Sequence, residues 1–354
     1  RDYDRGFSLR NLLEAVNQDD SWAKLVDGQV NDLIDLYQNY TRVYSGWSID
    51  NLRNAAKAKE DKTLKVLTLG HSLALDAGHM LTLVADAEGY EGLKVGTLYY
   101  SGCSLEKHLD FATNDKPEYN LYISSTETAD TPPQITKGVT MREAIASDYW
   151  DIIIMQGGVF EIARGSAYTN GNIQAIRQFV NANKRNPNLK FAWNMTWVPP
   201  TDETLRATYT GGDYYNKGYA AYNNDRTTMY NSVTQCVTDN ILTDSVYKFV
   251  IPSGTAMENA LSSYLEETDL HRDYVHATDL GRVIASYTWY CRLVGVDKLD
   301  EIKLDAIPVA FFKTTKGTED RVLTDAEKLI ILESVNNALK NPMEMTQSQY
   351  TTAP

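Results

Sequence analysis

Short apolar segments alternate with helical patterns through the middle of this chain, and this alternation most constrains its fold. Most of the segments are rich in β-branched or aromatic residues and stop at glycine or proline, as buried strands do. The five segments are Leu64–Leu69, Leu93–Tyr100, Trp150–Gln156, Asn188–Trp193 and Val246–Ile251. Strands that alternate with helices favour a parallel sheet covered on both faces. The sequence therefore predicts a three-layer α/β/α domain with a mostly parallel central sheet.

The domain boundaries follow from where this alternation begins and ends. The predicted helices within it are Ala74–Gly89, Gly171–Lys184, Asp225–Asn240 and Leu280–Leu293. Residues 1–62 carry helical spacing and predict a helical N-terminal extension, which leaves residues 63–300 as the main domain. Residues 301–354 predict a C-terminal extension that packs on it, with a strand over Ile307–Phe312 and a helix over Thr324–Leu339. Thr131–Gly138 contains two prolines and predicts a loop.

Composition excludes several classes of function. Of 354 residues, 43% are hydrophobic and 23% charged, which is enough apolar material for a substantial core. The formal net charge of −13 repels nucleic acid, so we expect no nucleic-acid partner. No apolar run reaches the roughly 20 residues of a transmembrane helix. The three cysteines, Cys103, Cys236 and Cys291, lack metal-ligand spacing and are expected to be buried thiols. We therefore predict no metal and no cofactor.

Polar residues and glycines follow several predicted strands, where open α/β sheets bind ligands. Ser72 stands on a tight turn after the first strand, at the start of a helix whose amides can stabilise negative charge. Gly102 follows the second strand and could present an unobstructed backbone N–H. Gln156 ends the third strand, and its side-chain amide could donate as well. Each feature alone is also typical of an ordinary turn. A catalytic role for the serine further requires a general base.

The segment Arg272–His276 supplies a candidate base late in the chain. A carboxylate three residues before a histidine can accept from Nδ1, which fixes the tautomer and leaves Nε2 as a general base. Asp273 and His276 have this spacing, and a serine hydroxyl needs such a base to become a nucleophile at neutral pH. The alternative is that His276 caps the following helix and Asp273 is a surface charge. The matching parts at the other strand ends favour the catalytic interpretation.

Five short blocks, in order, resemble the SGNH (GDSL-like) hydrolases, and more narrowly the DUF4886 branch found largely in gut Bacteroidetes. The blocks are Leu69–Leu73, Ser101–Leu105 with His108, Trp150–Gln156, Ile251–Ala256 with Asn259, and Arg272–His276. They cover roughly residues 64–295, and their order and spacing make the resemblance specific although each block is short. Two residues depart from the pattern: His71 stands where relatives have Asn or Asp, and Gly157 stands where they often repeat Gln.

The resemblance implies an SGNH/flavodoxin-like fold and a serine esterase that needs no cofactor. Ser72 would be the nucleophile, His276 the base and Asp273 its orienting acid. The backbone N–H groups of Ser72 and Gly102 and the side chain of Gln156 would bind the oxyanion. Relatives often lie near polysaccharide-degradation systems, which implies an O-acyl (acetyl) ester on a carbohydrate as substrate. The partner would be a small-molecule or oligosaccharide ester, and the resemblance suits export to the periplasm or cell surface.

Other residues and functions remain open from the sequence. His71, Trp193 and Arg272 could support the site or line its cleft, and His271 is expected at the surface. One alternative function is a glycan-binding protein that keeps the fold without turnover, which the departures at His71 and Gly157 motivate. Another is an esterase directed at lipids, which would need an apolar patch beside the site. The oligomeric state does not follow from the sequence.

Overall fold

The computed structural model describes residues 62–210, 218–308 and 320–354. Within these residues a seven-stranded sheet forms the centre of the molecule. Its strands are β1 (Leu64–Gly70), β2 (Leu93–Tyr99), β3 (Tyr119–Ser125), β4 (Gln134–Val139), β5 (Ile152–Met155), β6 (Lys190–Asn194) and β7 (Tyr247–Ile251). The helical extension predicted before Thr63 lies outside the described residues.

The order of the strands places a ligand site at one edge of the sheet. The strands lie in the order β4-β3-β2-β1-β5-β6-β7. Five strands run parallel to one another: β2, β1, β5, β6 and β7. On the β2 side, β3 pairs antiparallel with β2, and β4 pairs antiparallel with β3. From β1 the chain first builds outward on one side through β2 and later on the other side through β5. Such a reversal leaves a crevice at the carboxyl ends of the two central strands, where α/β proteins bind ligands.

Helices cover both faces of the sheet. In chain order they are α1 (Ser72–Gly78), α2 (Leu81–Ala87), α3 (Leu105–Thr113), α4 (Met141–Ala146), α5 (Gly165–Thr169), α6 (Asn172–Asn183), α7 (Glu203–Arg206), α8 (Arg226–Val237), α9 (Ser253–Leu261), α10 (Glu267–Leu270), α11 (Asp279–Val294) and α12 (Asp325–Lys340). Buried residues of α1, α2, α9, α11 and α12 share one core with the sheet. Those of α3, α4, α5, α6 and α8 share the other. The predicted three-layer α/β/α fold is confirmed.

The central strands show why a continuous apolar run in this sequence predicts a strand. Along β5, Ile152 and Ile154 join one core while Ile153 and Met155 join the other. Successive side chains of a strand point to opposite faces. A strand covered on both faces therefore needs a continuous apolar run, and β5 is such a run.

Two expectations about local structure are wrong. The region Thr131–Gly138, expected to be a loop, contains most of β4, whose first five residues are all exposed. An edge strand with no buried face carries no apolar pattern, so its sequence resembles a loop. The predicted helix Ala74–Gly89 is two helices, α1 and α2, with His79 and Met80 between them.

The C-terminal elements pack on the main core. The predicted helix over Thr324–Leu339 is confirmed as α12, whose buried residues belong to the same core as α11. Of the strand predicted over Ile307–Phe312, only Ile307 lies in β8 (Ala306–Ile307), which pairs with β9 (Arg321–Val322). Residues 309–319 lie outside the described residues. All three cysteines are buried and free, as expected.

Candidate active site

Ser72 is the first residue of α1 and follows directly from the central strand β1. The turn is tight because a Cβ added at Gly70 would lie 2.3 Å from the Cβ of Ala74. His71 caps the helix in an extended backbone conformation, and its Nδ1 accepts from the Leu73 N–H at 3.3 Å. The first N–H groups of a helix have no partner within the helix. The N–H of Ser72 is therefore left available beside its own hydroxyl.

A cavity of about 620 Å³ collects the candidate residues from distant parts of the sequence. Ser72, Gly102 and His276 all line it, so the ends of β1 and β2 and the late histidine segment meet there. Its other lining residues are Ser101, Ser104, Glu106, Gly158, Val159, Phe160, Glu161, Arg164, Tyr209 and Tyr274. The cavity lies at the carboxyl ends of the central strands, where the topology places a ligand site.

Asp273, which does not line the cavity, holds the ring of His276 at Nδ1. The His276 Nδ1 lies 2.8 and 2.9 Å from the two carboxylate oxygens, and the His276 backbone N–H donates to Oδ1 at 2.8 Å. Burial on its own would raise the pKa of Asp273, but the hydrogen bonds from His276 outweigh it and lower the pKa to about 2. The carboxylate is thus ionised at neutral pH. It fixes the tautomer with the proton on Nδ1, which leaves the lone pair on Nε2.

The serine and the histidine line the same cavity without a hydrogen bond between them. Among the described residues, none forms a hydrogen bond with the Ser72 side chain, and both Ser72 and His276 contribute to the cavity wall. Catalytic hydrogen bonds are often long before substrate binds and tighten in the substrate complex. The arrangement therefore supplies a hydroxyl and an oriented imidazole on one cavity, which is the chemistry of nucleophilic catalysis.

The two residues whose backbone N–H groups are the predicted oxyanion donors, Ser72 and Gly102, both line the cavity. Gly102 has φ of +59° and nothing lies within 4 Å of where its Cβ would be. Its N–H has no hydrogen-bond partner among the described residues. The Tyr100 N–H donates to the Gly70 carbonyl at 3.4 Å, which ties the loop after β2 to the turn that carries Ser72. The predicted donors Ser72 and Gly102 are thus brought to one wall of the cavity.

The structure does not bring Gln156 to this wall. Gln156 is 2% exposed, and its amide lies in a buried polar chain. The Asn194 side chain donates to Gln156 Oε1 at 2.9 Å, and Gln156 Nε2 lies 3.0 Å from His71 Nε2. Trp289 donates to Asn194 Oδ1, which fixes the orientation of that amide because an indole N–H can only donate. The oxyanion role of Gln156 stays a prediction.

His71 has both ring nitrogens committed to the fold. The Leu73 N–H can only donate, so Nδ1 accepts and the proton lies on Nε2, which is 3.0 Å from the Gly157 carbonyl. In this tautomer the neighbouring Gln156 amide nitrogen faces a second donor, so that contact is not a hydrogen bond. Desolvation by burial lowers the pKa of His71 to about 4, despite the bond to Gly157. The two departures from the family pattern, His71 and Gly157, therefore contact each other, and His71 is neutral at neutral pH.

The structure decides the places of two residues that the sequence left open, Trp193 and Arg272, and one expectation, for His271, is wrong. Trp193 does not line the cleft: it is buried against Tyr168 and Tyr247 because β6 is an interior strand. His271 is not at the surface but fully buried, and burial lowers its pKa to about 3. Arg272 stays outside the cavity wall and pairs with Asp76 of α1 at 3.1 Å.

Sequence reasoning missed the residues that shape the cavity. Glu161 Oε2 accepts from the Gly158 N–H at 2.9 Å and the Leu105 N–H at 3.0 Å, so it joins the loops after β5 and β2. Tyr209 and Tyr274 pack ring to ring at 4.7 Å, and Tyr274 lies 5.8 Å from the His276 ring. Tyr274 could have been found from its place between Asp273 and His276. Glu161 and Tyr209 lie in loops with no periodic pattern, so no sequence signal marks them.

Other possible sites were compared with this cavity. A second cavity of about 450 Å³ lies at the opposite end of the sheet, beside Lys65, Lys94 and Asp148, and no histidine lines it.

Across residues 62–210, 218–308 and 320–354, no group of three His, Cys, Asp or Glu side chains could hold a metal ion. Over the same ranges, no helix has the length and apolar character needed to cross a bilayer.

Comparison with known proteins places these observations in a family. The model of the DUF4886 family, a domain of unknown function, matches residues 65–308. The crystal structure of a DUF4886 family protein from Bacteroides uniformis ATCC 8492 aligns with a TM-score of 0.66 and 22% identity, over 82% of this chain and 100% of that one. At this identity the likeness shows the fold. The comparison with curated proteins finds no match.

Two further solved structures align less well. A protein proposed to be an SGNH hydrolase, from Slackia heliotrinireducens, has a TM-score of 0.38 and 16% identity, over 65% of this chain and 98% of that one. The salicylyl-acyltransferase of a tetracycline biosynthetic pathway has a TM-score of 0.32 and 16% identity, over 66% of this chain and 56% of that one. These TM-scores are too low to support an inference about function. Any such inference therefore rests on the geometry of the site.

Proposed function

This chain belongs to the DUF4886 family, and we propose from the geometry of its site that it is a serine esterase. One observation carries the proposal: Ser72 and His276 line the same cavity, and Asp273 holds His276 Nδ1 at 2.8 Å. A nucleophile, a base and a group that orients the base are the parts of a catalytic triad, which is recognised by geometry and roles.

The reaction proceeds by two acyl transfers. Ser72 Oγ attacks the ester carbonyl while its proton passes to His276 Nε2, and the negative oxygen that forms accepts from the N–H groups of Ser72 and Gly102. The imidazolium, stabilised by the ionised Asp273, then gives its proton to the departing alcohol as the C–O bond breaks. Water attacks the resulting acyl-serine with His276 as base, which releases the acid and restores the serine.

The substrate proposed is an O-acyl ester of a carbohydrate, such as an acetyl ester. The half-buried rings of Phe160, Tyr209 and Tyr274 line the cavity and offer apolar faces, and the two phenols add hydroxyl groups. Aromatic rings with a polar end suit ligands that are apolar on one face and wet on the other. Serine hydroxyls, Glu106, Glu161 and Arg164 complete the lining and offer hydrogen bonds to sugar hydroxyls.

A lipid ester fits this cavity less well. A long acyl chain needs a continuous apolar surface, yet the large exposed apolar side chains that the structure describes lie away from the cavity. They are Ile135, Leu242, Val246, Val322, Leu329 and Met345. The charged groups Glu106, Glu161 and Arg164 would face the chain instead.

The test is hydrolysis by purified protein, beside Ser72→Ala as a matched control. We expect release of p-nitrophenol from the acetyl ester but little from the palmitoyl ester, and release of acetate from an acetylated xylo-oligosaccharide. Ser72→Ala should abolish all three. A preference for the palmitoyl ester would overturn the carbohydrate assignment, and equal rates for wild type and Ser72→Ala would overturn the esterase.

A further inference from the structure

We propose that Asp76 is the positioning residue that sets His276 against Ser72. It would do so by anchoring residues 271–277, here called the His276 loop, to the helix that carries the serine. The inference rests on the proposed function and adds to it a residue outside the catalytic set. Asp76 lies on α1 four residues after Ser72, which is about one helical turn.

The Asp76 carboxylate binds the His276 loop at the residue after the histidine. Its Oδ2 accepts from the Ala277 N–H at 2.9 Å. The side chain is 4% exposed, so this is a hydrogen bond to a buried anion, shielded from water. Hydrogen bonds to charged groups are among the strongest in proteins.

The same carboxylate binds the loop again just before the catalytic segment. Arg272 Nη1 donates to Asp76 Oδ1 at 3.1 Å and also to the Ala277 carbonyl. The Arg272 backbone N–H donates to the His276 carbonyl at 2.9 Å, which closes the loop on itself. Asp76 thus holds both ends of the segment that carries Asp273 and His276.

Arg282 adds a second cation to Asp76 from α11. Its Nε donates to Asp76 Oδ1 at 2.8 Å, and its own side chain is 9% exposed. A buried carboxylate costs several kcal/mol unless it is paired and fully hydrogen-bonded. Two arginines and one backbone N–H supply those partners here, so the carboxylate has a fixed position.

The Asp76 link differs from the other contacts of the His276 loop because it comes from the helix that carries Ser72. Trp197 Nε1 also holds the His276 loop, by donating to the Val275 carbonyl at 2.8 Å, but it reaches from the end of β6. Among the described residues, the hydrogen bonds that join α1 to the loop all end on Asp76. The nucleophile and the carboxylate share one rigid helical turn, so this link fixes the serine-to-histidine geometry directly.

The test compares Asp76→Asn with a matched control, Asp148→Asn. Asp148 also bridges two cations, Lys65 at 3.2 Å and Lys94 at 2.6 Å, but at the opposite end of the sheet. We expect Asp76→Asn to lower kcat about 10- to 100-fold with KM unchanged, since a misplacement of about 1 Å can cost a factor near 100. Labelling of Ser72 by a fluorophosphonate should slow by a similar factor. Asp148→Asn should leave kcat and the labelling rate unchanged.

The outcomes separate positioning from simple stability. A folded Asp76→Asn protein with wild-type kcat and labelling rate would overturn the inference, whatever its melting temperature. If Asp76→Asn fails to fold, Arg272→Gln takes its place, because Arg272 is 35% exposed and Asp76 keeps Arg282 as its partner when Arg272 is lost. A several-fold loss of kcat supports the inference, and a wild-type kcat contradicts it. If the wild-type protein itself is not labelled, the proposed function fails, and the inference fails with it.

Discussion

The two histidines beside Ser72 show how differently one side chain can be used. His71 is the neighbour of the serine in sequence, is 1% exposed and has both ring nitrogens bound within the fold. His276 comes from the far end of the domain and its side chain is 19% exposed; among the described residues only its Nδ1 has a hydrogen-bond partner, the Asp273 carboxylate. His276 lines the cavity with Ser72, and His71 does not.

The comparison shows that the surroundings of a histidine, and not its closeness to the serine in sequence, decide whether it can act as a general base. A general base needs a free lone pair that faces the substrate and a partner for the proton on its other nitrogen. His276 has both. His71 instead serves as the cap of α1, a place usually taken by Asn, Asp, Ser or Thr.

Removing His276 should give the largest effect. We expect His276→Ala to lower kcat for an acetyl ester by about 10⁴- to 10⁶-fold, as loss of the base does in other triads. The matched variant His71→Asn keeps a helix cap and should stay within about threefold of wild type. Steady-state kinetics of both proteins make the comparison. Equal losses for the two variants would mean that the roles assigned to the histidines are wrong.

Changing the partner of His276 should have the next largest effect. Asp273→Asn replaces an ionised acceptor by an amide that can donate to Nδ1, which favours the wrong tautomer of the ring. We expect kcat to fall by about 10³- to 10⁴-fold with little change in KM. If activity is retained, Asp273 only shapes the loop through its bonds to the Val275 and His276 N–H groups.

The smallest effect is one of stability in acid, and it concerns His71. Its folded-state pKa of about 4 lies below the ordinary 6.5, so between these values the unfolded chain binds more protons. Stability is then fully present above pH 6.5 and is lost as the pH falls toward 4, by up to about 3 kcal/mol. His71→Asn cannot titrate, so its free energy of unfolding should fall less steeply over this window. Denaturant unfolding at several pH values measures both slopes, and parallel slopes would contradict the assignment.

The sequence predicted the parts of the fold that are buried on both faces. β1, β2, β5 and β6 were found because strands inside the sheet need apolar runs, and β7, at one edge, was found because it carries such a run as well. β4 was missed because its exposed residues carry no such pattern, and β3 is antiparallel and half exposed. The apolar pattern reports burial, so strands with exposed side chains leave little trace in the sequence.

The candidate site divides in the same way. Asp273 and His276 were predictable because they are three residues apart and interact locally. His271 was misplaced and Trp193 was left open, because an imidazole or an aromatic ring can occupy either core or surface, and only packing decides. Asp76 was not predictable as an anchor, since its partners Arg272, Ala277 and Arg282 lie about 200 residues away. Contacts between distant segments depend on the assembled fold.

The central claim is that Ser72 is a nucleophile activated by His276, and reaction with a fluorophosphonate probe tests it most directly. The probe reacts with activated serines whatever the natural ester. We predict one adduct per wild-type chain, mapped to Ser72 by mass spectrometry, no adduct in Ser72→Ala, and labelling slowed by orders of magnitude in His276→Ala. Absence of reaction in the folded wild-type protein, or equal labelling of Ser72→Ala, would contradict it and favour a glycan-binding protein on this fold.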